Sequence, residues 1–252
     1  IDTEGLQLKP VIEDVEALNK RAAPQPPKEG RKTKQLDITK LSFFAYAKAR
    51  KDYFLLDAGA ALGFGAGPIV VARLEYMFPP SGGRETSVAI PGKNTTANLL
   101  FSLAYPHLKN KTEILFSKIE DEILKGKFDL GVIIHESRFT YRQKGLKKII
   151  DLGEWWKKKT KLPIPLGGIA IRKNFPEALK KKVERVIRKS VEFAFANPDS
   201  SKAFVKKHAQ EMDDEVIKKH IELYVNKYSA SLGVKGKKVV SALLRKIEKS
   251  KF

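Results

Sequence analysis

The middle of the chain alternates short contiguous apolar runs with helical periods, and this restricts the folds open to it. "GPIVVARLEY" (67–76) sets Ile69, Val70 and Val71 side by side. Such β-branched residues with no polar partner between them read as a strand buried on both faces. "TSVAIPGKNTTANLLFSLAYP" (86–106) gives a strand, a turn at Pro91 and Gly92, and a helix from about Thr95 to Tyr105. "KTEILFSKIEDEILKGKFDLGVIIH" (111–135) gives strand, helix, Gly126 as a stop, and strand again. A β-α-β-α-β succession predicts a parallel sheet with covering helices, an α/β fold.

The flanks extend this pattern. "GLQLKPVIED" (5–14) reads as a strand leading into a helix, and the Pro- and Lys-rich 21–35 segment as a mobile loop. "LDITKLSFFAYAKA" (36–49) reads as strand, turn and helix, "YFLLDAGAALG" (53–63) as a strand and a small-residue turn, and 176–252 as helices. Two similarly worded strands, "GPIVVARLE" (67–75) and "GGIAIRKNF" (167–175), bracket the centre. Paired side by side they would form a hinge, with residues 86–174 as a small lobe and 1–85 plus 175–252 as a large one. A cleft between two α/β lobes is a common small-molecule site.

Composition narrows the chemistry. The 252 residues suffice for two modest lobes. There is no cysteine, so thiolate chemistry is excluded, and the four histidines show no metal-ligand spacing. No apolar run is long enough to span a membrane. With no charged-then-apolar leader at its start, the chain is expected in the cytoplasm. The net charge of +20 raises nucleic acid as a partner. The lysines instead alternate with apolar positions at helical spacing, the pattern of a solvated face. The partner expected is an anionic small molecule, without nucleic acid or membrane.

Three stretches carry possible sites. In "PGKNTTANLL" (91–100) a turn opens a helix with Asn94, Thr95 and Thr96 at its start. That suits a carboxylate or phosphate, although an ordinary N-cap is the commoner use. "ALGFGAGP" (61–68) lacks the dinucleotide-binding spacing and reads as a tight bend or a close backbone approach. In "IIHESRFTY" (133–141) a buried strand ends at His135. Parallel strands present their carboxyl ends to a ligand crevice, and an imidazole there can accept a proton near neutral pH. Glu136, Ser137 or Arg138 would orient it or hold an anion. A strand-end histidine satisfied by backbone stands beside this reading as an equal alternative. His107, His208 and His220 read as surface residues.

"KLSFFAY", "GAALGFGAGPIVVAR", "PGKNTTANLL", "GVIIHESRFTY" and "DLGEWWKKKTKLPIPLGGIAIRK", in that order, resemble the 1,4-dihydroxy-6-naphthoate synthase family of the futalosine route to menaquinone. The resemblance implies a two-lobed, type II periplasmic binding protein-like fold used as an enzyme. It implies a lyase that opens cyclic dehypoxanthinylfutalosine with no cofactor and no metal. It makes His135 the proton acceptor and Lys40, Leu41, Ser42, Thr96 and Ala97 the substrate contacts; Thr95, Glu136 and Arg138, read from their positions in the chain, are expected behind them. Chorismate dehydratase of the same pathway and a non-catalytic solute-binding protein share the fold and are the alternatives. The family's opening strand and Ser-Pro-x-Pro-Asn-Asp-Thr-Phe turn have no counterpart here, and the expectation is that this chain lacks its start.

Overall fold

The computed structural model describes residues 1–22, 35–77, 85–208 and 213–249. Its strands are β1 (Ile38–Ser42), β2 (Tyr53–Leu55), β3 (Ala61–Gly63), β4 (Ile69–Arg73), β5 (Val88–Ile90), β6 (Lys111–Glu113), β7 (Leu130–Ile133), β8 (Leu146–Asp151) and β9 (Ile164–Arg172). Its helices are α1 (Val15–Ala22), α2 (Phe43–Ala49), α3 (Thr96–Ala104), α4 (Ile119–Leu124), α5 (Ser137–Thr140), α6 (Leu152–Thr160), α7 (Glu177–Ala196), α8 (Lys202–His208), α9 (Asp214–Tyr224), α10 (Lys227–Ala230) and α11 (Gly233–Lys249). The chain divides into two compact units. One takes in Ile1–Leu62, Pro165–Ala209 and Tyr224–Phe252, the other Gly63–Ile164 and Gln210–Leu223.

In the first unit β9 is the central strand. It pairs antiparallel with β1 and β2, and β3 also pairs with it. Its side chains alternate between two cores. Ala170 packs with Ala22, Leu41, Ala49 and Tyr53, while Ile171 packs with Leu56 and Val183 of α7. Each large apolar side chain so buried contributes about 1.5–3 kcal/mol. Pro176 caps the start of α7, as its place in the sequence predicts.

Asp57, in the β2–β3 connection, ties this unit together. Its carboxylate accepts hydrogen bonds from the Ser231 hydroxyl, from Gly233 N at 3.2 Å and from Arg188 at 3.2 Å, and it pairs with Lys237 at 3.0 Å. Burial pushes its pKa up, but the Ser231 hydrogen bond and the Lys237 ammonium outweigh burial and hold it below the usual carboxyl value. A carboxyl depressed on folding stabilises the protein above its unfolded pKa, and that contribution is lost as pH falls through the folded value. Asp57→Asn is therefore expected to flatten the acid limb of the stability curve. Urea titrations from about pH 6 to about pH 2.5 would show it, and an unchanged acid limb would contradict it.

The second unit carries a five-stranded sheet in the order β6-β5-β7-β4-β8. β5 pairs parallel with β6 and β7, whereas β4 runs antiparallel to both β7 and β8. The predicted parallel sheet is thus mixed. Ile69, Val71, Ala89, Ile119, Ile123, Ile133, Tyr141 and Leu146 form its core. Gly126 ends α4 in the left-handed region at φ 78°, as expected of a helix stop.

Several expectations are corrected. Residues 5–14 form no strand; regular structure begins at α1. β3 is an additional strand. "GPIVVARLE" and "GGIAIRKNF" do not pair, because β4 completes the second unit's sheet while β9 centres the first unit's. By compactness the chain passes between units after Leu62, Ile164, Ala209 and Leu223. The 21–35 loop lies almost wholly outside the described residues. Of the glycines of 61–68, Gly67 acts by close approach, and Gly65 turns the chain at φ 72°. A Cβ on Gly67 would lie 2.8 Å from Gly153 N and 2.7 Å from the Ile164 side chain.

Candidate active site

In the second unit the carboxyl ends of β6, β5 and β7 lie along one edge, because these three strands are parallel. The segments that follow them carry the candidate groups. After β5 comes the turn that opens α3. Thr95 caps this helix: its Oγ1 accepts from Asn98 N at 3.1 Å and donates to Gly92 O at 2.8 Å. Asn98 in turn donates from its side chain to Lys93 O at 2.9 Å. Thr95 is therefore occupied in building the turn. Thr96 and Ala97 occupy the first two helical positions, at the end of the helix where the dipole favours an anion.

After β7 comes His135, in the left-handed region at φ 57°. Histidine tolerates this conformation better than most residues, but it still costs about 1–2 kcal/mol. The half-buried ring touches two others. Phe116, which begins the 3₁₀ helix after β6, meets it at 4.9 Å between centroids and 68° between planes. His220 of α9 meets it at 5.8 Å and 75°. The sequence placed His220 on the surface; in the structure it stands against His135. His107 and His208 are exposed, as expected.

Two buried carboxylates fix the loop beyond His135. Glu120 of α4 accepts from the Ser137 hydroxyl at 3.0 Å and from Lys144 Nζ at 2.8 Å. Asp151 accepts from Arg138 Nη2 at 3.0 Å, and Arg138 also donates to Gly67 O at 2.5 Å. The guanidinium is thereby committed to the scaffold that carries the loop beyond His135. Glu136 caps α5 through its backbone position without a side-chain cap bond.

Lys40, Leu41 and Ser42 belong to β1 of the first unit. Leu41 turns its side chain into the apolar core. Ser42 is buried. It exchanges two hydrogen bonds with Asn19: Asn19 Nδ2 to Ser42 Oγ at 3.1 Å and Ser42 N to Asn19 Oδ1 at 3.0 Å. Its side chain does not cap α2. Lys40 reaches solvent, yet protein crowds its ammonium enough for desolvation to lower its pKa. A cation desolvated in this way gains from an anionic ligand.

No three His, Cys, Asp or Glu side chains among the described residues gather to hold a metal ion, and no described helix is long and apolar enough to cross a membrane.

Comparison with known proteins places this geometry in a family. The family model described as "Menaquinone biosynthesis" matches residues 2–249. A "1,4-dihydroxy-6-naphtoate synthase" from Thermus thermophilus is 42% identical over 96% of this chain and 84% of its own length. One of the same name from Streptomyces coelicolor is 38% identical over 83% of this chain and 75% of its own. The crystal structure of protein AF1704 from Archaeoglobus fulgidus superposes with a TM-score of 0.83 at 33% identity, covering 95% of this chain and 85% of that one. At 11% identity the periplasmic aliphatic sulphonate binding protein SsuA from Escherichia coli still superposes with a TM-score of 0.55, over 86% of this chain and 71% of that one. The fold is accordingly that of the periplasmic binding proteins, and the chain belongs to the menaquinone biosynthesis family.

Proposed function

We propose that this chain is a lyase that converts cyclic dehypoxanthinylfutalosine to 1,4-dihydroxy-6-naphthoate, the product for which its curated relatives are named. His135 is the general base. The observation that carries this reading is its placement: an imidazole held in a strained backbone conformation just past β7, on the strand edge where α3 also begins. Strained residues of this kind concentrate at functional sites.

The chemistry follows from the groups available. The neutral ring of His135 takes a proton from a substrate hydroxyl, and a carbon–carbon bond breaks in a retro-aldol-like sense. The ring left behind aromatises as a three-carbon fragment leaves, and the proton is returned to the products. Thr96 and Ala97, at the start of α3, contact the substrate's anionic oxygens, where the helix dipole favours charge as it develops. Lys40 offers a cation to the carboxylate, with Leu41 and Ser42 completing the contacts. The protein acts where the pathway's intermediates are, in the cytoplasm.

The test is direct. Purified protein incubated with cyclic dehypoxanthinylfutalosine is expected to yield 1,4-dihydroxy-6-naphthoate, identified by mass and retention time. Chorismate under the same conditions is expected to remain unchanged. Dehydration of chorismate would favour the related pathway enzyme, and binding of the futalosine derivative without turnover would favour a solute-binding protein.

A further inference from the structure

Thr95 caps α3, so the cap does not need the side chain of Asn98. That buried side chain instead spans two elements. Its Nδ2 donates to Lys93 O, in the turn before the helix, at 2.9 Å, and its Oδ1 accepts from Lys111 Nζ of β6 at 3.2 Å. Only this orientation of the amide serves both partners, because a carbonyl oxygen only accepts and an ammonium only donates. Lys111 Nζ also donates to Ser102 Oγ at 2.7 Å, and Ser102 Oγ to Asn98 O at 2.8 Å. The ammonium is thus fixed to α3 at two positions one turn apart. Burial lowers its pKa, and the charge of Lys109 adds to this.

The bridge acts on one residue of the turn. Lys93 N donates to Glu113 Oε2 at 3.0 Å, while Lys93 O takes the Asn98 amide. Lys111 and Glu113 stand two apart on β6 and so share a face of that strand. β6 pairs with β5, setting Lys111 beside Val88 and Glu113 beside Ile90, and β5 runs directly into the turn. The backbone of Lys93 is therefore tied to β6 through both of its polar groups, the N–H directly and the carbonyl through Asn98. We propose that Asn98 is a positioning residue: by bridging Lys93 O to Lys111 it holds the turn where Thr96 and Ala97 meet the substrate's anionic oxygens. This rests on the reading of those two residues as substrate contacts.

The experiment measures kcat/KM and thermal melts for Asn98→Ala, Lys111→Met, Lys111→Arg and the Asn98→Ala/Lys111→Met double variant. Asn98→Ala is expected to lower kcat/KM about 10- to 100-fold, as a small misplacement of contacting groups does. Lys111→Met should lower it about 3- to 10-fold, and Lys111→Arg, which keeps a donor, should stay within about threefold of wild type. In the Asn98→Ala background Lys111→Met should cost less than about twofold more, because both act through one bridge. Should Asn98→Ala fail to fold, the Met and Arg variants of Lys111 carry the comparison. Wild-type kcat/KM in Asn98→Ala or in Lys111→Met, with or without a lower melting temperature, overturns the proposal. So does an Arg variant as slow as Met, or a Lys111→Met loss that persists in full without Asn98, the mark of a bare charge effect. Titrating wild type with 1,4-dihydroxy-6-naphthoate tests the underlying reading, since the amide resonances of Thr96 and Ala97 should shift. If they stay unmoved, that reading falls. If they move and the variants turn over normally, only the bridge falls.

Discussion

His135→Asn is expected to lower kcat by roughly 10²–10⁴-fold while KM changes little, because a general base acts on the transition state and adds little to ground-state binding. Asparagine is the informative replacement. Position 135 sits at φ 57°, and asparagine is among the few residues that adopt this region at small cost. The backbone, the loop into α5 and the Ser137–Glu120 bond should therefore persist, and the loss can be assigned to the missing proton acceptor. A β-branched residue such as valine would mix that loss with backbone strain. Stopped assays by mass spectrometry, with thermal melts to confirm folding, make the measurement. Turnover within about threefold of wild type would remove His135 from the chemistry.

The parts of this fold legible in sequence are those that depend on near neighbours. Leu130–Ile133 is visible as a buried strand because its apolar residues are contiguous, and His135 is visible because the run stops there. The start of α3 is visible because a capping threonine stands before an apolar helical period. Pairing is different. β4 and β9 have similar wording, yet they join separate sheets, since a buried strand's composition records that it has two neighbours and not which ones. Three residues of β3 are too few to show a period. The candidate site divides the same way. Thr96 and Ala97 follow from helix-start geometry, and their assignment as contacts needed the family resemblance. Arg138 was visible as a charge beside His135, but nothing in "HESR" reveals that Asp151 and Gly67 occupy it. Phe116 and His220 were invisible as partners of His135, since each is brought there by the placement of a whole element. The only local trace was the stripe on α9, where a histidine occupies a position otherwise taken by apolar residues.

Asp151→Ala is expected to destabilise the protein by about 3–5 kcal/mol, a large share of the roughly 5–15 kcal/mol margin of a typical fold. The residue is 2% exposed and serves four donors at once. Oδ1 accepts from Gly67 N at 3.1 Å, Gly153 N at 2.8 Å and Glu154 N at 3.2 Å, which caps α6 and ties it to the β3–β4 connection. Oδ2 accepts from Arg138, whose side chain is 14% exposed. Alanine would leave a half-enclosed guanidinium with no counter-ion and three N–H groups with no acceptor. Each loss is costly, because a buried donor stripped of its partner has already given up water. Backbone cannot close in to compensate, since Gly67 and Gly153 already approach as far as glycine allows. Asp151→Asn keeps one acceptor for the cap and loses the charge, so its cost should fall between wild type and alanine. Pairing each with Arg138→Ala in a double-mutant cycle separates the two halves. If the ion pair dominates, the double variant costs little more than Asp151→Ala alone; if the cap dominates, the two costs add. Thermal melts should place Asp151→Ala roughly 10 °C below wild type. A loss under about 1 kcal/mol would mean that water replaces the carboxylate in this buried junction. The same junction holds α5 three residues past His135, so any Asp151 variant that folds should also lose kcat, through the loop and not through substrate binding.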